Sequence, residues 1–446
     1  MKSLCAVSAA CVMFVLSCSK EQEVEVAPQI GPAEIYLNAV IERAENARTN
    51  VDAIVAAAET AAADAVKGGM IYVTDDETVT RTGEEETKMI PGGGVGYPMH
   101  EDWGGFVAEA CDRAGGLRHI QPVPLNNKVS ENDIIMVGTA GLRPQEQMKQ
   151  IKALKDQGAL IILFGSSQSD LASIADYVID NGLTPGVHNV LKIGSYEKTG
   201  PVAPMANVIN EWAFTAEYVA ALTRLGKMPT CWQSMFVPGA AERNTHIGEY
   251  LYHPDMEVKP KPAGDSARQY LGVVLEYLTK IRDNELDNFR EAGALCAGSL
   301  SSGHKVVASV LGHFMVAQFR MPGYPDLFEE LPNQYGRDYL DGKMSAGDTW
   351  LHVGYSYTPV VELELAKEVG AKTVTVFTPG PTEVGEGTPV APDMSKIDVY
   401  IDPYWKHGDA VVDFPGYDIS ICPPSGVVMI TSYWMILGET MAAMNK

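Results

Sequence analysis

Apolar residues recur every three to four positions from residue 36 to residue 66, which is the spacing of one buried helix face. We expect this helix to end at the glycine pair 68–69. The apolar runs that follow lack polar alternation, as is typical of strands buried on both faces of a parallel sheet. They are residues 70–73, 134–137, 160–164 and 177–179. Because helices separate these runs, the pattern predicts βαβ units with right-handed crossovers.

The second half of the chain follows the same order of elements. It predicts helices over 268–297, 360–369 and 425–443, and strands over 305–311, 349–353, 372–377 and 398–401. Two features recur at a constant offset, since residues 175–180 match residues 397–402 and Trp212 matches Trp434. The sequence therefore predicts an α/β fold of two tandem three-layer α/β/α domains, each with a parallel sheet.

Composition between the repeats gives the predicted boundaries. They are a signal peptide over 1–17, a tether over 18–32, a first domain over 33–230, a linker over 231–264 and a second domain over 265–446. The linker is rich in Pro, His and charge. A polar, glycine-rich excursion over 74–98 is far longer than an ordinary connection. We interpret its glycine run over 92–96 as a mobile lid.

The first twenty residues have the pattern of an export signal. Lys2 precedes an apolar run over 4–16 that is too short to span a bilayer as a mature helix. The run ends in Val-Leu-Ser-Cys18, which resembles the lipobox of bacterial lipoproteins, in which the Cys becomes the lipidated first residue. An ordinary secretory signal with an incidental Cys is the alternative. The lipoprotein interpretation predicts an exported protein on the periplasmic or cell-envelope face of a membrane, anchored by its lipid alone.

The net charge and the cysteine spacing limit which partners the chain is expected to bind. The 446 residues include 34 Lys and Arg against 57 Asp and Glu, a formal net charge of −23. Such an acidic surface repels phosphate backbones, which excludes nucleic acid as a partner. Four of the seven Cys are scattered singly through the body without CxxC pairs. This spacing is unlike a zinc site, and both free buried thiols and a disulfide stay open. We expect no metal and no cofactor.

Three segments of the first half carry a family resemblance. They are Glu109-Ala-Cys-Asp-Arg-Ala-Gly-Gly116, Asn132-Asp-Ile-Ile-Met-Val-Gly-Thr-Ala-Gly141, and Ala175-Asp-Tyr-Val-Ile-Asp-Asn181 with Gly200-Pro-Val-Ala-Pro204. Over roughly residues 33–240 they resemble the sugar isomerase (SIS) domain, and in particular one uncharacterised SIS subfamily. The resemblance implies a flavodoxin- or Rossmann-like topology, a sugar ligand that is usually a phosphosugar, and a homo-oligomer that pairs through SIS helices.

Polar side chains at the predicted strand ends are the candidate ligand-binding residues. Open α/β sheets bind ligands at the carboxyl ends of their strands, near a topological switch point. Thr139 follows one strand and precedes a Pro-initiated helix, where free N–H groups and the helix dipole favour an anion. Ser166 and Ser167 follow the next strand, although this serine-rich loop has the alternative role of capping the helix near Leu171. The full substrate-binding set is Thr74, Arg113, Thr139, Ser166, Ser167, Ser309, Ser356 and Thr358.

The phosphate loop departs from the SIS pattern, which is Ser-x-Ser-Gly. The first half has Thr139-Ala-Gly-Leu, which loses a hydroxyl, and the second has Tyr355-Ser-Tyr-Thr358, which loses the glycine. The resemblance therefore implies a sugar-shaped site, while phosphate specificity stays open.

The resemblance also implies candidate catalytic residues. Aldose–ketose isomerisation moves a proton between adjacent carbons, and Glu and His are the usual agents in SIS enzymes, which points to Glu109 and His100. Glu109 has an alternative role as an ion-pair partner of Arg113, four residues further along the helix. The expected function is an aldose–ketose isomerase-like enzyme acting on a carbohydrate derivative. The alternatives are a non-catalytic sugar-binding lipoprotein that senses or delivers a glycan fragment, and a scaffold for subunit assembly.

Overall fold

The computed structural model describes residues 30–76, 105–111, 113–124, 126–248, 250–254, 256–311, 324–332 and 336–445. The predicted signal peptide, Cys18, nearly all of the tether, the predicted lid and His100 lie outside these residues. Both sheets belong to one compact unit, Gly31–Lys446.

Two helices precede the first sheet, α1 (Pro32–Thr49) and α2 (Val51–Ala65). The prediction of a single helix over 36–66 is therefore wrong in one respect, because the helical segment is interrupted at Asn50. The Asn50 amide donates 2.6 Å to the carbonyl oxygen of Asp180, which fixes the junction against the end of a strand.

The first sheet has five parallel strands. In chain order its elements are β1 (Ile71–Asp75), α3 (Gly105–Cys111), β2 (Ile120–Pro122), β3 (Ile134–Gly138), α4 (Pro144–Lys155), β4 (Leu160–Gly165) and β5 (Tyr177–Asp180). The strand order is β2-β1-β3-β4-β5. This is the flavodoxin-like order, in which the topological switch point lies between β1 and β3.

The connection between the sheets is more structured than the sequence predicts. An antiparallel hairpin of β6 (Asn189–Ile193) and β7 (Tyr196–Pro201) leads into α5 (Ala203–Arg224). The predicted linker contains α6 (Ala240–Ile247) and packs against both halves. Gly115 N donates 2.7 Å to the Trp232 carbonyl, and Lys259 N donates 3.0 Å to the Pro415 carbonyl.

The second sheet repeats the topology of the first. Its elements are α7 (Asp265–Asn284), α8 (Leu286–Ser301), β8 (Val306–Val310), β9 (Glu329–Pro332), α9 (Arg337–Leu340), β10 (Thr349–Val353), α10 (Val360–Val369), β11 (Lys372–Val376), β12 (Val399–Ile401) and α11 (Ser425–Met444). The strands are parallel in the order β9-β8-β10-β11-β12. Numbered by their position in the chain, the strands of both sheets have the order 2-1-3-4-5. The prediction of α/β domains with parallel sheets is confirmed.

Helices cover both faces of each sheet, so each half has three layers. The largest hydrophobic cluster lies between the sheets and includes Met136 and Phe164 of the first and Leu351 of the second. Outer clusters lie where α4 covers the first sheet and α10 covers the second. Because α1 packs on both α7 and α11, helices of the two halves share the central core.

Helix α11 is the most apolar long helix among the described residues. Its length and mean hydropathy of 1.3 would allow it to cross a membrane, but 78% of that apolar stretch is buried inside the protein. It packs against α8 and α1, as a core helix does.

Candidate functional site

A small crevice of about 10 Å³, with room for about one water molecule, lies at the carboxyl ends of β3 and β4. Its lining consists of Thr139, Ala140, Gly141, Ser166, Ser169, Asn181, Thr184, Pro185 and Gly186. Gly141 has φ +76°, a left-handed conformation that favours glycine, and a Cβ atom there would lie 3.0 Å from Gly186 N. The lining offers hydroxyl, amide and backbone groups, and none of the described lining residues is charged.

The loop after β3 surrounds a carboxylate from the end of β1. Asp76, which is 3% exposed, accepts 2.9 Å from Ala140 N and 2.7 Å from Leu142 N. The Thr139 hydroxyl also donates to it, at 3.1 Å. The expectation that this loop has free N–H groups for a ligand is therefore wrong, because the chain's own carboxylate occupies two of them.

The hydroxyls after β4 differ in what they contact. Ser166 Oγ donates 2.5 Å to the Leu183 carbonyl, and Ser167 Oγ donates 2.7 Å to Asp180. Ser167 is not part of the crevice lining described above. Ser169 precedes a short 3₁₀ helix, Asp170–Ser173, but its side chain makes no capping bond. Its hydroxyl oxygen is buried and has no partner among the described residues. The capping alternative thus fails for Ser169, and its hydroxyl is the one in the described crevice lining that has no partner.

Two asparagines hold the crevice wall in place. Asn207 of α5 donates 2.8 Å to the Thr139 carbonyl, and its own side-chain oxygen accepts 3.1 Å from the Asn181 amide. Asn181 also accepts 3.1 Å from Leu183 N. Sequence reasoning missed Asn207, although a buried side-chain amide is the kind of group that needs such partners. Thr74 lies outside the crevice lining and donates 3.2 Å to Gln150.

Glu109 does not line the crevice. It lies on α3 with no exposed surface, accepts 3.1 Å from the Trp212 indole, and has Arg113 Nε 3.5 Å away. A Cβ atom on Gly426 of α11 would lie 2.1 Å from its Oε1, so this glycine gives the carboxylate its space. The structure therefore shows Glu109 as an ion-pair partner of Arg113, which is the alternative role that the sequence left open.

Arg113 joins the two halves. Its guanidinium donates to the Ser425 hydroxyl at the start of α11, lies 4.0 Å from Asp409, and stacks 5.5 Å from the centre of the Tyr355 ring. Burial raises the pKa of Asp409 to about 7, which the positive charge of Arg113 only partly offsets. Burial also works to lower the pKa of Arg113, but the carboxylates of Glu109 and Asp409 outweigh it, and that pKa is raised. The cluster is a buried joint outside the crevice.

The predicted site residues of the second half lie in a packed region. Ser309 accepts 3.0 Å from the Trp350 indole, and Thr358 donates to two carbonyls at 2.9 Å and 2.7 Å. Ser356 Oγ is buried and has no partner in the described part of the chain. The neighbouring His352 is buried too, and burial lowers its pKa to about 3. None of these four side chains is part of the crevice lining.

The thiols and acidic residues do not suggest a metal centre. Cys111, Cys231, Cys296 and Cys422 are free and buried. Within the described ranges, no group of three or more His, Cys, Asp and Glu side chains is placed to hold an ion.

No protein-family model matches this chain, and no curated protein matches it. Several solved structures are similar over most of its length. One, provisionally named a sugar-binding protein of Salmonella typhimurium LT2, is 9% identical with a TM-score of 0.41, over 92% of this chain and 98% of its own. A protein of Clostridium difficile 630, provisionally named a phosphosugar isomerase, is 11% identical with a TM-score of 0.45, over 92% and 93%.

A third similar structure is the C-terminal domain of glucosamine-fructose-6-phosphate aminotransferase from Francisella tularensis. It is 10% identical with a TM-score of 0.44, over 92% of this chain and 96% of its own. All three likenesses are distant, so the fold of this chain rests on the strand order and register described above.

Proposed function

We propose that this chain is a sugar-binding protein of the SIS type, which holds a sugar or sugar derivative at the mouth of the crevice after β3 and β4. The observation that carries the proposal is the buried, unpartnered hydroxyl of Ser169 in the lining of this crevice. Buried polar atoms normally have a partner, so a free hydroxyl at a cavity points to a ligand. The crevice has a volume of about 10 Å³, so it would take a single hydroxyl group of a sugar whose ring lies outside it.

The chemistry of the lining supports a polyhydroxyl ligand. A sugar hydroxyl both donates and accepts hydrogen bonds, and the Ser169 hydroxyl and the backbone groups of the two glycine-containing loops offer both functions. The amide chain from Asn207 to Asn181 holds these groups in fixed positions. Sugar binding is also what the resemblance of the three sequence segments implies.

Binding without isomerisation is the function that the described residues support best. Proton transfer needs a base within hydrogen-bond reach of the substrate, and Glu109 is instead bonded to Trp212 and paired with Arg113. The other candidate, His100, lies outside the described residues.

The test is a panel of monosaccharides and amino sugars added to the purified protein, followed by melting temperature and by NMR of the sugar. We expect a sugar to raise the melting temperature without being converted. Ser169→Ala should weaken its binding roughly fivefold to tenfold, the value of one hydrogen bond. Ser173→Ala is the matched control, because that hydroxyl bonds the Asp170 carbonyl on the same 3₁₀ helix.

Two outcomes would contradict this proposal. If no sugar stabilises the protein, or if Ser169→Ala and Ser173→Ala behave alike, the crevice is not the binding site. Conversion of an aldose to a ketose would establish the isomerase, and loss of that conversion in Glu109→Gln would return Glu109 to a catalytic role.

We further propose that Cys18 is lipid-modified and that the protein is anchored at the periplasmic or cell-envelope face of a membrane. The Val-Leu-Ser-Cys18 run before a charged stretch supports this. Cys18→Ser should release the protein from membranes or block its maturation. An unmodified Cys18 in intact-mass analysis of the membrane-extracted protein would contradict the proposal.

We also propose that residues 33–230 and 265–446 are tandem copies of one unit, and that the protein forms a homo-oligomer through its helices. The shared strand order of the two sheets supports the first part. An experimental structure in which the two units fail to superpose would contradict it. Light scattering that gives the mass of one chain would contradict the second part.

A further inference from the structure

The loop between β3 and α4 has the geometry of an anion site. The strand ends at Gly138, the helix begins at Pro144, and the backbone N–H groups of Ala140 and Leu142 point at one position. Convergent N–H groups at the start of a helix stabilise negative charge, because each carries a partial positive charge and the helix dipole adds to it.

This position already contains a negative charge from the chain itself. The Asp76 carboxylate accepts from both N–H groups and from the Thr139 hydroxyl, and it is 3% exposed. A phosphate at the same place would lose those donors and would lie beside a like charge. None of the described residues that line the crevice is cationic.

A second buried carboxylate also accepts hydrogen bonds from two backbone N–H groups, but at a place where no ligand is expected. Asp133, at the opposite end of β3, accepts 2.8 Å from Met70 N and 2.6 Å from Ser130 N. It binds two backbone N–H groups, as Asp76 does, but its partners lie at the amino ends of the strands. Asp76 differs because its partners Thr139 and Ala140 also line the crevice.

We propose that Asp76 is a specificity-determining residue, a built-in anion that occupies the N–H groups beside the crevice and so denies them to a phosphate. The ligand class that follows, given the sugar binding proposed above, is an uncharged sugar, and phosphorylated sugars are excluded. The exclusion acts through occupation of the N–H groups and through charge repulsion.

Inorganic phosphate is the probe that tests the closed position independently of any sugar. We expect isothermal titration at constant ionic strength to show no saturable phosphate binding to the wild type or to Asp133→Ala. Asp76→Ala should gain saturable binding, at least about tenfold tighter than any residual binding of the wild type. Phosphate binding to the wild type as tight as to Asp76→Ala, or none to Asp76→Ala, overturns the proposal.

Asp76→Ser covers the case in which Asp76→Ala does not fold. The serine hydroxyl keeps one hydrogen-bond acceptor for the loop, and the substitution removes the charge. Asp76→Ser should therefore gain phosphate binding in the same assay, and a failure to gain it counts equally against the proposal.

Binding assays with a sugar and with its 6-phosphate separate this proposal from the sugar-binding one. Phosphate binding to Asp76→Ala without binding of any sugar removes the sugar-binding function but keeps the closed anion position. Sugar binding without any gain of phosphate removes the role of Asp76.

Discussion

The carboxyl ends of the two sheets differ although their strand orders are the same. After β3 and β4, polar groups line a small crevice, and Asp76 after β1 accepts hydrogen bonds from the loop that follows β3. After β8, Leu311 stands at the position that Asp76 has after β1, and it is 7% exposed. The loop after β10 is packed with aromatic rings. The ring centres of Tyr355 and Tyr357 lie 5.8 Å and 6.1 Å from the ring centre of Phe236.

The amino ends of the sheets are alike in detail. Asp133 accepts a hydrogen bond from Met70 N at 2.8 Å, and Asp348 accepts one from Lys305 N at 3.0 Å. Each donor is the residue immediately before the first strand of its half. Each carboxylate also accepts from the residue three positions earlier, at 2.6 Å and 2.8 Å respectively. The amino ends of the two sheets are therefore built in the same way, while their carboxyl ends, where ligands bind in such sheets, differ.

The largest expected effect is at the joint between the two halves. Arg113→Met leaves the buried carboxylates of Glu109 and Asp409 without their cation, which should lower the free energy of unfolding by about 3–5 kcal/mol. Urea denaturation measures it. Arg48→Met removes an exposed ion pair with Glu45 and is the control, with a change of about 0.5 kcal/mol or less. A loss below about 1 kcal/mol for Arg113→Met would mean that the halves do not depend on this cluster.

The next effect tests whether the amino ends are equivalent. Asp133→Asn and Asp348→Asn each weaken two hydrogen bonds from backbone N–H groups to a charged acceptor. We expect each to lower the free energy of unfolding by about 2–3 kcal/mol, and the two values to agree within about 0.5 kcal/mol. Denaturant titration of both variants under one condition gives the comparison. A large effect in one half alone would show that the clamps are not equivalent.

The strands of the fold could be predicted because burial on both faces leaves a continuous apolar run. The predicted strand over 134–137 is observed as Ile134–Gly138, and the one over 349–353 is observed with the same bounds. The short strand β2 and the hairpin β6–β7 were missed, because their polar residues give no continuous apolar run. The interruption at Asn50 depends on a bond to Asp180, a contact between distant positions that helix periodicity does not contain.

The site was predictable to the level of loops and no further. Neighbouring parallel strands end at the same edge, which is why Thr139 and Ser166 line one crevice. Which side chain occupies the loop depends on the path of the chain after β1, and Asp76 was therefore missed. Helical spacing placed Glu109 and Arg113 on one face of α3 but did not show that this face turns toward α11.

A smaller effect sharpens the contrast at the carboxyl ends. Both ring nitrogens of His352 are buried without a partner among the described residues, and burial lowers its pKa to about 3. The unfolded chain takes up the proton near pH 6.5, so stability is complete above that pH and is lost as the pH falls toward about 3.

His352→Phe should therefore be neutral or stabilising by about 1 kcal/mol at pH 7, since the ring packs against Trp350 and Phe377. Below pH 6 it should gain on the wild type by up to about 1.4 kcal/mol per pH unit. Thermal unfolding between pH 5 and pH 8 measures this, with His246→Gln on the exposed side of α6 as the control. A loss of several kcal/mol at pH 7 would mean that the imidazole has a polar partner and that this edge is not a simple core.

The smallest effect compares two ion pairs that occupy matching places in the two halves. Lys155 lies 2.8 Å from Asp176, and Lys367 lies 3.3 Å from Asp398; all four side chains are 36–38% exposed. Solvent screens such pairs, so Lys155→Ala and Lys367→Ala should each cost about 0.2–1 kcal/mol. Lys155→Ala should cost slightly more, because Lys155 also donates 2.6 Å to the Ile174 carbonyl. Chemical denaturation at low and high salt checks both values, since the salt-dependent part reports the ion pair alone. A cost above about 2 kcal/mol for either variant would show that the lysine stem, rather than its charge, supports the helix on the sheet.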